Sequence, residues 1–236
     1  MSGSSQTVKK QKDVGEVRKE KRSAPSGRRK VAAKSVEPAA LAAKAPTRSR
    51  GHQRVAALLD AAEAAFAEQG YAATTMTEIA ARAQSSIGSL YQFFPTKEQV
   101  AIAVVARQSD ALFMRLDKIE ASAPETEIEA LAHTLCGTLI AFRADHPSFA
   151  LLIDTPGAPA ETTLAVRTRM RERLADILRH KAPQRGRAEL DAIAAVTQQV
   201  MKSAIALNAE PRIRKRSATL AQLRAMLALY LSVALA

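Results

Sequence analysis

The chain has 236 residues, enough for one large domain or two small ones. Hydrophobic residues make up 47% of it but aromatic residues only 4%, so alanine and leucine must supply most of the packing, as in an all-helical protein. The formal net charge of +12 arises almost entirely in residues 1–50, and the rest of the chain is nearly neutral. The charge therefore marks a basic tail and not a basic globule.

Targeting segments are not evident. The N-terminal segment has no apolar run of the kind a secretory signal needs, and Glu16, Glu20 and Glu37 do not fit an acid-poor transit peptide. The uncharged stretch 130–142 and the apolar end 226–236 are both shorter than the roughly 20 residues of a membrane helix. A single cysteine, Cys136, fits a reducing compartment. We expect a cytoplasmic protein without a membrane span.

Residues 1–47 are predicted to be a disordered basic tail. They are rich in Lys, Ala and Ser and contain no aromatic residue, so they offer too little apolar area to offset the entropy of ordering. The tail could be an electrostatic arm that contacts phosphates. The alternatives are a solvated extension without function and a misassigned start codon.

The first helical pattern begins at His52 and ends at Gly70, a typical C-terminal stop. One face of this predicted helix carries Val55, Leu58, Leu59, Ala62 and Phe66.

Two short helices and a polar turn follow. Thr75 lies three residues before Glu78, the spacing of a capping box, and opens a helix of about two turns that ends near Ala83. Gln84 and Ser85 form the turn. Ser86 can cap the next helix, whose buried side is supplied by Leu90, Phe93 and Phe94. This arrangement predicts a helix-turn-helix, in which the second helix enters the major groove of DNA.

Pro95 ends the third helix, and Thr96 with Gln99 forms a second capping box that opens a much longer fourth helix, through about Ala121. Prolines then separate about five further helices. Two late helices carry apolar stripes that we expect to form a four-helix dimer interface, with intrachain core as the alternative. The stripe residues are Leu190, Ile193, Thr197, Val200, Ala204 and Leu207 in one helix, and Leu220, Leu223, Leu227, Tyr230 and Ala234 in the other.

The motifs E-Q-G-Y, A-T-T-M-T-E-I-A-A-R-A and S-x-G-S-L-Y-x-F-F-P-T-K-E, in this order, resemble the TetR (tetracycline-repressor) family of bacterial regulators. The resemblance is specific over about residues 48–105. It departs from the family at the turn, where Gln84 replaces the usual Gly and Ser85 the usual apolar residue. Gln84 would need a positive φ if the turn keeps its usual shape.

The resemblance implies an all-α homodimer. Residues 48–96 would form a three-helix, helix-turn-helix DNA-binding domain for a palindromic operator, and residues 97–236 a helical domain for effector binding and dimerisation. A small molecule of unknown identity would bind in this C-terminal domain, move the fourth helix and release the DNA. No cofactor, metal or membrane partner is implied.

Candidate DNA contacts divide into two groups. Thr75, Lys97, Tyr91, Gln92 and Arg54 are placed to contact phosphates. Ser86, Ile87 and Ser89 are short enough to approach base edges, and Ile87 offers an apolar surface to a thymine methyl. Each has a simpler alternative: Thr75 could be only a helix cap, Lys97 only solvated, and Tyr91 only packed in the small domain.

The candidate effector pocket lies among the later helices, with plain core packing as the alternative for each residue. The candidates on apolar faces are Phe113, His133, Phe142, Phe149, Met170 and Met201.

Two rival functions remain. An enzyme is disfavoured because the chain lacks an H-E-x-x-H motif, a cysteine pair and a Gly-rich phosphate loop. A sequence-indifferent, nucleoid-type DNA-binding protein driven by the basic tail is the second rival. It would lose its binding when the tail is removed.

Overall fold

The computed structural model describes residues 49–153 and 160–236, in which nine α-helices and no strand occur. The predicted tail, residues 1–47, lies outside this part of the chain. The all-α prediction is confirmed, as is the prediction of five helices after the long fourth one. The helices are α1 Ser49–Ala73, α2 Met76–Arg82, α3 Ile87–Phe93, α4 Lys97–Ser122, α5 Ile128–Asp145, α6 Pro147–Ile153, α7 Ala160–Arg179, α8 Arg187–Ala209 and α9 Arg216–Ala234.

Helix α1 starts slightly earlier than predicted and is interrupted at Gly70, which has φ 77° and ψ 171°. This conformation is open to glycine and strained for other residues, so Gly70 ends the regular helix as predicted. Leu58, Ala62 and Phe66 of the predicted apolar face are fully buried. They form the centre of the small N-terminal domain with Ile79 and Leu90.

The turn after α2 has the usual shape of a helix-turn-helix, although Gln84 occupies the position where glycine is usual. Gln84 has φ 50°, and within the described residues no other non-glycine residue has a positive φ. The amide of Ser85 donates to the carbonyl of Ala80 at 2.9 Å, and the amide of Gln84 to that of Ala81 at 3.0 Å. These two bonds are those of a Schellman motif, with Gln84 at the position that usually holds glycine. The turn keeps its geometry and imposes backbone strain on Gln84.

Helices α2, α3 and α4 each begin at the predicted cap. Thr75 Oγ1 accepts from the amide of Glu78 at 3.2 Å, Ser86 Oγ from that of Ser89 at 3.1 Å, and Thr96 Oγ1 from that of Gln99 at 3.2 Å. The Glu78 carboxylate bonds to Arg82 instead of returning to the Thr75 amide, so only half of that capping box forms.

The C-terminal helices form a body in which α5, α8 and α9 pack against one another and α7 packs against α8 and α4. Helix α6 lies against α1 and α4, so the body contacts the N-terminal domain through these elements. The buried amide of Gln108 in α4 donates to Ser148 Oγ in α6 at 2.8 Å. Helix α4 also packs against α1, so it contacts both the N-terminal domain and the C-terminal body.

The predicted dimer stripe is largely occupied within the single chain. Val200, Leu207, Leu223, Tyr230 and Ala234 are half-buried against the core, and the other six members are buried in it: Leu190, Ile193, Thr197, Ala204, Leu220 and Leu227. Buried side chains cannot also contact a second chain, so for these six the intrachain-core alternative holds. The large apolar side chains that α8 and α9 leave exposed are Val196, Met226, Leu229 and Val233.

By length and composition alone, helix α9 could cross a membrane. No other helix in the described residues meets these two criteria. The apolar run of residues 226–236 alone predicts no membrane span, whereas α9 begins at Arg216. In the fold α9 packs against α5 and α8 and exposes one apolar face. A helix that packs within a helical body can have the same composition.

Candidate DNA interface and ligand cavity

One face of α3 is open to solvent. Ile87 is 40% exposed and Tyr91 48% exposed, and Gly88 and Gln92 beside them are also exposed, whereas Leu90 on the opposite face is buried. Positions 87, 88, 91 and 92 share one side of a helix because residues three to four apart are neighbours. This face can approach a DNA groove without any rearrangement of the domain.

Ser86 and Ser89 differ in their surroundings. Ser86 is exposed at the N-terminus of α3. Ser89 is half-buried, and its Oγ is shielded from solvent without a hydrogen-bond partner. In this conformation Ser89 does not present its hydroxyl to a duplex, because the neighbouring atoms cover it. Of the three residues predicted to approach base edges, Ser86 and Ile87 are the exposed ones.

Arg54 and Arg50 flank a surface groove between the start of α1 and the turn that precedes α3. Both side chains are exposed, and within the described part of the chain neither forms an ion pair. The other residues lining the groove include Gln53, Ser85 and Ser86. Two cations beside the N-terminus of a helix suit a phosphate. The structure thus adds Arg50 to the predicted set.

Thr75 lies exposed at the N-cap of α2. Its oxygen accepts a bond from the helix, which leaves the hydroxyl hydrogen available to a phosphate. Capping and phosphate contact are therefore compatible roles for this residue.

Lys97 is engaged inside the chain. Its ammonium group donates to the carbonyls of Tyr71 at 2.9 Å, Ala72 at 3.1 Å and Thr74 at 2.9 Å, and it lies 4.7 Å from the centre of the Tyr71 ring. Because an ammonium group has three hydrogens, these bonds use all its donors. Lys97 ties the start of α4 to the end of α1, so in this conformation its ammonium group has no hydrogen left to donate to a phosphate.

A cavity of about 370 Å³ lies among α4 to α8 in the C-terminal body. This volume is within the range of small-molecule pockets. Its lining residues are Leu112, Leu139, Arg143, Phe149, Ile153, Val166, Arg167, Met170, Gln198, Lys202, Ile205 and Ala206.

Of the predicted pocket residues, the structure brings Phe149 and Met170 to this cavity. Phe113, Phe142 and Met201 are buried core residues that do not line it. His133 is exposed and lies in a separate surface groove between α5 and α9, where its Nε2 is 2.9 Å from Arg224 Nη1. Plain packing or a surface position thus accounts for four of the six candidates.

A polar cluster joins the two parts of the molecule. The Glu63 carboxylate in α1 pairs with Arg107 Nη2 of α4 at 2.7 Å and with His146 Nδ1 at 3.2 Å. Burial opposes ionisation of this carboxyl, but hydrogen bonds from Gln108, Arg107 and His146 outweigh it and lower the pKa of Glu63. Arg107 also pairs with Asp60 of α1 at 2.6 Å.

The sequence matches two family models. Residues 58–104 match the model of bacterial regulatory proteins of the tetR family, and residues 127–231 match that of the tetracyclin repressor-like C-terminal domain. Together they cover more than half of the chain. The chain therefore belongs to the TetR family of DNA-binding transcriptional regulators.

Solved structures support the same fold. A tetR-family transcriptional regulator from Streptomyces coelicolor is 23% identical, with 78% of this chain and 82% of that chain covered and a TM-score of 0.59. FadR from Bacillus subtilis, solved with stearoyl-CoA, is 14% identical over 73% of this chain and 97% of its own, with a TM-score of 0.58. RolR, solved with resorcinol, is 20% identical over 78% and 94%, with a TM-score of 0.52. A comparison with curated proteins finds no match.

The sequence predicts the exposed face of α3 better than it predicts the lining of the cavity. The α3 face follows from local spacing, but the cavity is assembled from five helices, and its cationic members Arg143, Arg167 and Lys202 look in sequence like ordinary surface residues. No group of His, Cys, Asp and Glu residues suited to a metal occurs in the part of the chain that the structure describes.

Proposed function

We propose that the chain is a homodimeric repressor that binds a palindromic operator and is released from it by a small molecule. The observation that carries the proposal is the open face of α3, where Ile87 and Tyr91 are exposed at a helix whose opposite side is buried. Such a helix can place Ser86 and Ile87 against base edges, while Tyr91, Gln92, Thr75, Arg54 and Arg50 contact the backbone.

An apolar surface on the C-terminal body supports the dimer. Met226, Leu229 and Val233 lie at steps of three and four on α9, and Leu229 and Val233 are 69% and 76% exposed. Val196 on the neighbouring α8 is 43% exposed. A second copy would cover these side chains and bring two α3 helices to one duplex, so that two weak half-site contacts become one strong one.

Helix α4 supports the coupling between ligand and DNA. Leu112 of α4 lines the cavity, whereas Lys97 at the start of the same helix holds the end of α1. A ligand that displaces α4 would therefore displace the DNA-binding domain as well. FadR and RolR, which share the fold, were solved with small molecules bound.

The rival function is sequence-indifferent DNA binding by the basic tail. The purified full chain and a variant lacking residues 1–46 can each be incubated with sheared genomic DNA, and the retained fragments sequenced. We expect both proteins to retain the same few fragments, with weaker affinity for the variant at moderate salt. Retention of unrelated fragments by the full chain, lost when the tail is removed, would establish the rival function and reject the repressor.

A further inference from the structure

The cavity in the C-terminal body changes in character from its interior to its mouth. Leu112, Phe149 and Met170 are 3%, 4% and 5% exposed and form an apolar interior with Leu139 and Ile153. Such a wall excludes water and favours an apolar ligand body.

Three cationic side chains border the same cavity, each from a different helix: Arg143 of α5, Arg167 of α7 and Lys202 of α8. No Asp or Glu occurs among the lining residues that the structure describes. Arg167 and Lys202 are exposed, so the positive charge lies towards the solvent side of the apolar interior. Lys202 forms no ion pair with any described residue, and its charge is available to a ligand.

One contact involves the side chain of Arg143, and another involves the backbone of Arg167. The guanidinium of Arg143 lies 5.8 Å from the centre of the Phe149 ring, which makes Arg143 part of the wall. The amide of Gln198, 7% exposed, donates to the backbone carbonyl of Arg167 at 3.0 Å and so joins α8 to α7 beside the cavity. This bond does not use every donor and acceptor of the Gln198 side-chain amide, which can therefore form a further polar contact with a ligand.

Resting on the proposed function, we propose that the effector is an amphipathic anion. Its apolar body would occupy the space between Leu112, Phe149 and Met170, and its anionic group would lie at the mouth against Lys202. A cationic ligand would meet the ammonium group of Lys202 there and no Asp or Glu among the described lining residues. A neutral apolar ligand would fill the interior but gain nothing from the three cations. A carboxylate and a phosphate share the required chemistry, and either a free acid or an acid carried as a coenzyme A thioester could supply it.

The test is calorimetric titration of the full chain with four probes that share a ten-carbon tail: decanoate, decanoyl-CoA, 1-decanol and decyltrimethylammonium, each below its aggregation limit. We expect at least one of the two anions to bind about tenfold more tightly than decanol, an advantage that falls as salt is raised. The cation should bind more weakly than decanol. Preference between decanoate and decanoyl-CoA identifies the source of the anionic group.

Lys202→Gln removes one mouth charge without changing the apolar wall. It should weaken binding of the preferred anion by about threefold to fivefold and leave decanol unchanged. The matched control is Lys118→Gln, an exposed lysine of α4 outside the cavity, which should leave both affinities unchanged.

Equal or tighter binding of decanol than of both anions would overturn the proposal, as would no binding of either anion. The unmodified chain alone decides this, so the result does not depend on the folding of a variant. Operator selectivity measured on the same preparation separates the two proposals. Selective DNA binding without an anion preference rejects only the effector class, whereas an anion preference without selective DNA binding rejects only the repressor function.

Discussion

Arg107 of α4 and Glu63 of α1 are joined by an ion pair of 2.7 Å. The same guanidinium reaches Asp60 at 2.6 Å, and the same carboxylate reaches His146, at the junction of α5 and α6, at 3.2 Å. Through this cluster the first helix of the DNA-binding domain is bonded to the long helix that borders the ligand cavity. The ion pair lies at the contact through which a movement of α4 would displace the N-terminal domain.

Glu63→Gln should reduce stability in a pH-dependent way. Burial alone would raise the pKa of Glu63, but its hydrogen bonds from Gln108, Arg107 and His146 lower it below the ordinary value of 4.5. A lowered pKa contributes stability that is complete above pH 4.5 and is lost as the pH falls through the folded-state value. Urea unfolding should show the variant about 1 kcal/mol less stable at pH 7, with the difference shrinking below pH 4.5.

The control for this experiment is Glu129→Gln, an exposed carboxylate of α5 that forms no ion pair with a described residue. It should leave stability almost unchanged at every pH. A Glu63→Gln defect that stays constant from pH 7 to pH 3 would show that the ionised carboxylate is not what the cluster depends on.

Gln84→Gly should leave the protein as stable as it is or more stable. Gln84 has φ 50°, a left-handed conformation that costs a side chain about 1–2 kcal/mol relative to glycine. Part of this gain is offset because glycine has more freedom in the unfolded chain, so we expect a net stabilisation below about 1 kcal/mol. Gln84→Val should instead destabilise by about 1 kcal/mol or more, because a branched side chain is harder to accommodate there. A higher urea midpoint for Gln84→Val than for Gln84→Gly would show that the backbone at this turn is not strained.

Gly88→Ala should stabilise the protein and weaken DNA binding. A methyl group at Gly88 meets no atom within 4 Å in the free protein. Alanine is favoured over glycine in a helix interior by about 0.5–1 kcal/mol, which is an upper limit for Gly88 in the first turn of α3. On the duplex, the same methyl would stand between α3 and the DNA.

Gly137→Ala in α5 is the matched control, since it too meets no atom within 4 Å. It should raise the melting temperature similarly and leave operator affinity unchanged in a fluorescence-anisotropy titration. If both variants bind the operator as tightly as the unmodified chain, the α3 face does not enter the groove.

Leu229→Glu combined with Val233→Glu should convert the dimer to monomers. These side chains are 69% and 76% exposed in the single chain, so the substitutions cost little before association but place two carboxylates in the apolar interface. Sedimentation at micromolar concentration measures the result. Leu164→Glu in α7, also an exposed apolar residue at 63%, serves as control and should remain dimeric.

Local chemistry made the N-terminal domain predictable. The caps at Thr75, Ser86 and Thr96 and the stop at Gly70 depend on residues within one or two turns, and each lies where the pattern placed it. The positive φ of Gln84 agrees with what the family resemblance implies for a turn of the usual shape.

The assignment of faces in the C-terminal body was less predictable. An apolar stripe shows that a helix packs but not which element it packs against. Helix α8 packs against α5, α7 and α9, and α9 packs against α5 and α8. The spacing of Leu190 in α8 and of Leu227 in α9 therefore predicts a contact with a second chain as readily as one within the chain, and both side chains are buried in the single chain. Likewise, the engagement of Lys97 depends on the carbonyls of Tyr71, Ala72 and Thr74, which are distant in sequence.

The most direct test of the repressor is the set of sequences that the purified full chain selects from a pool of random duplexes. We expect one inverted repeat, with half-sites about one helical turn apart or a small multiple of it. Selection with Ile87→Ala should change the preferred base at a position within each half-site. Recovery of sequences with no shared motif would contradict it, as would a single half-site without symmetry.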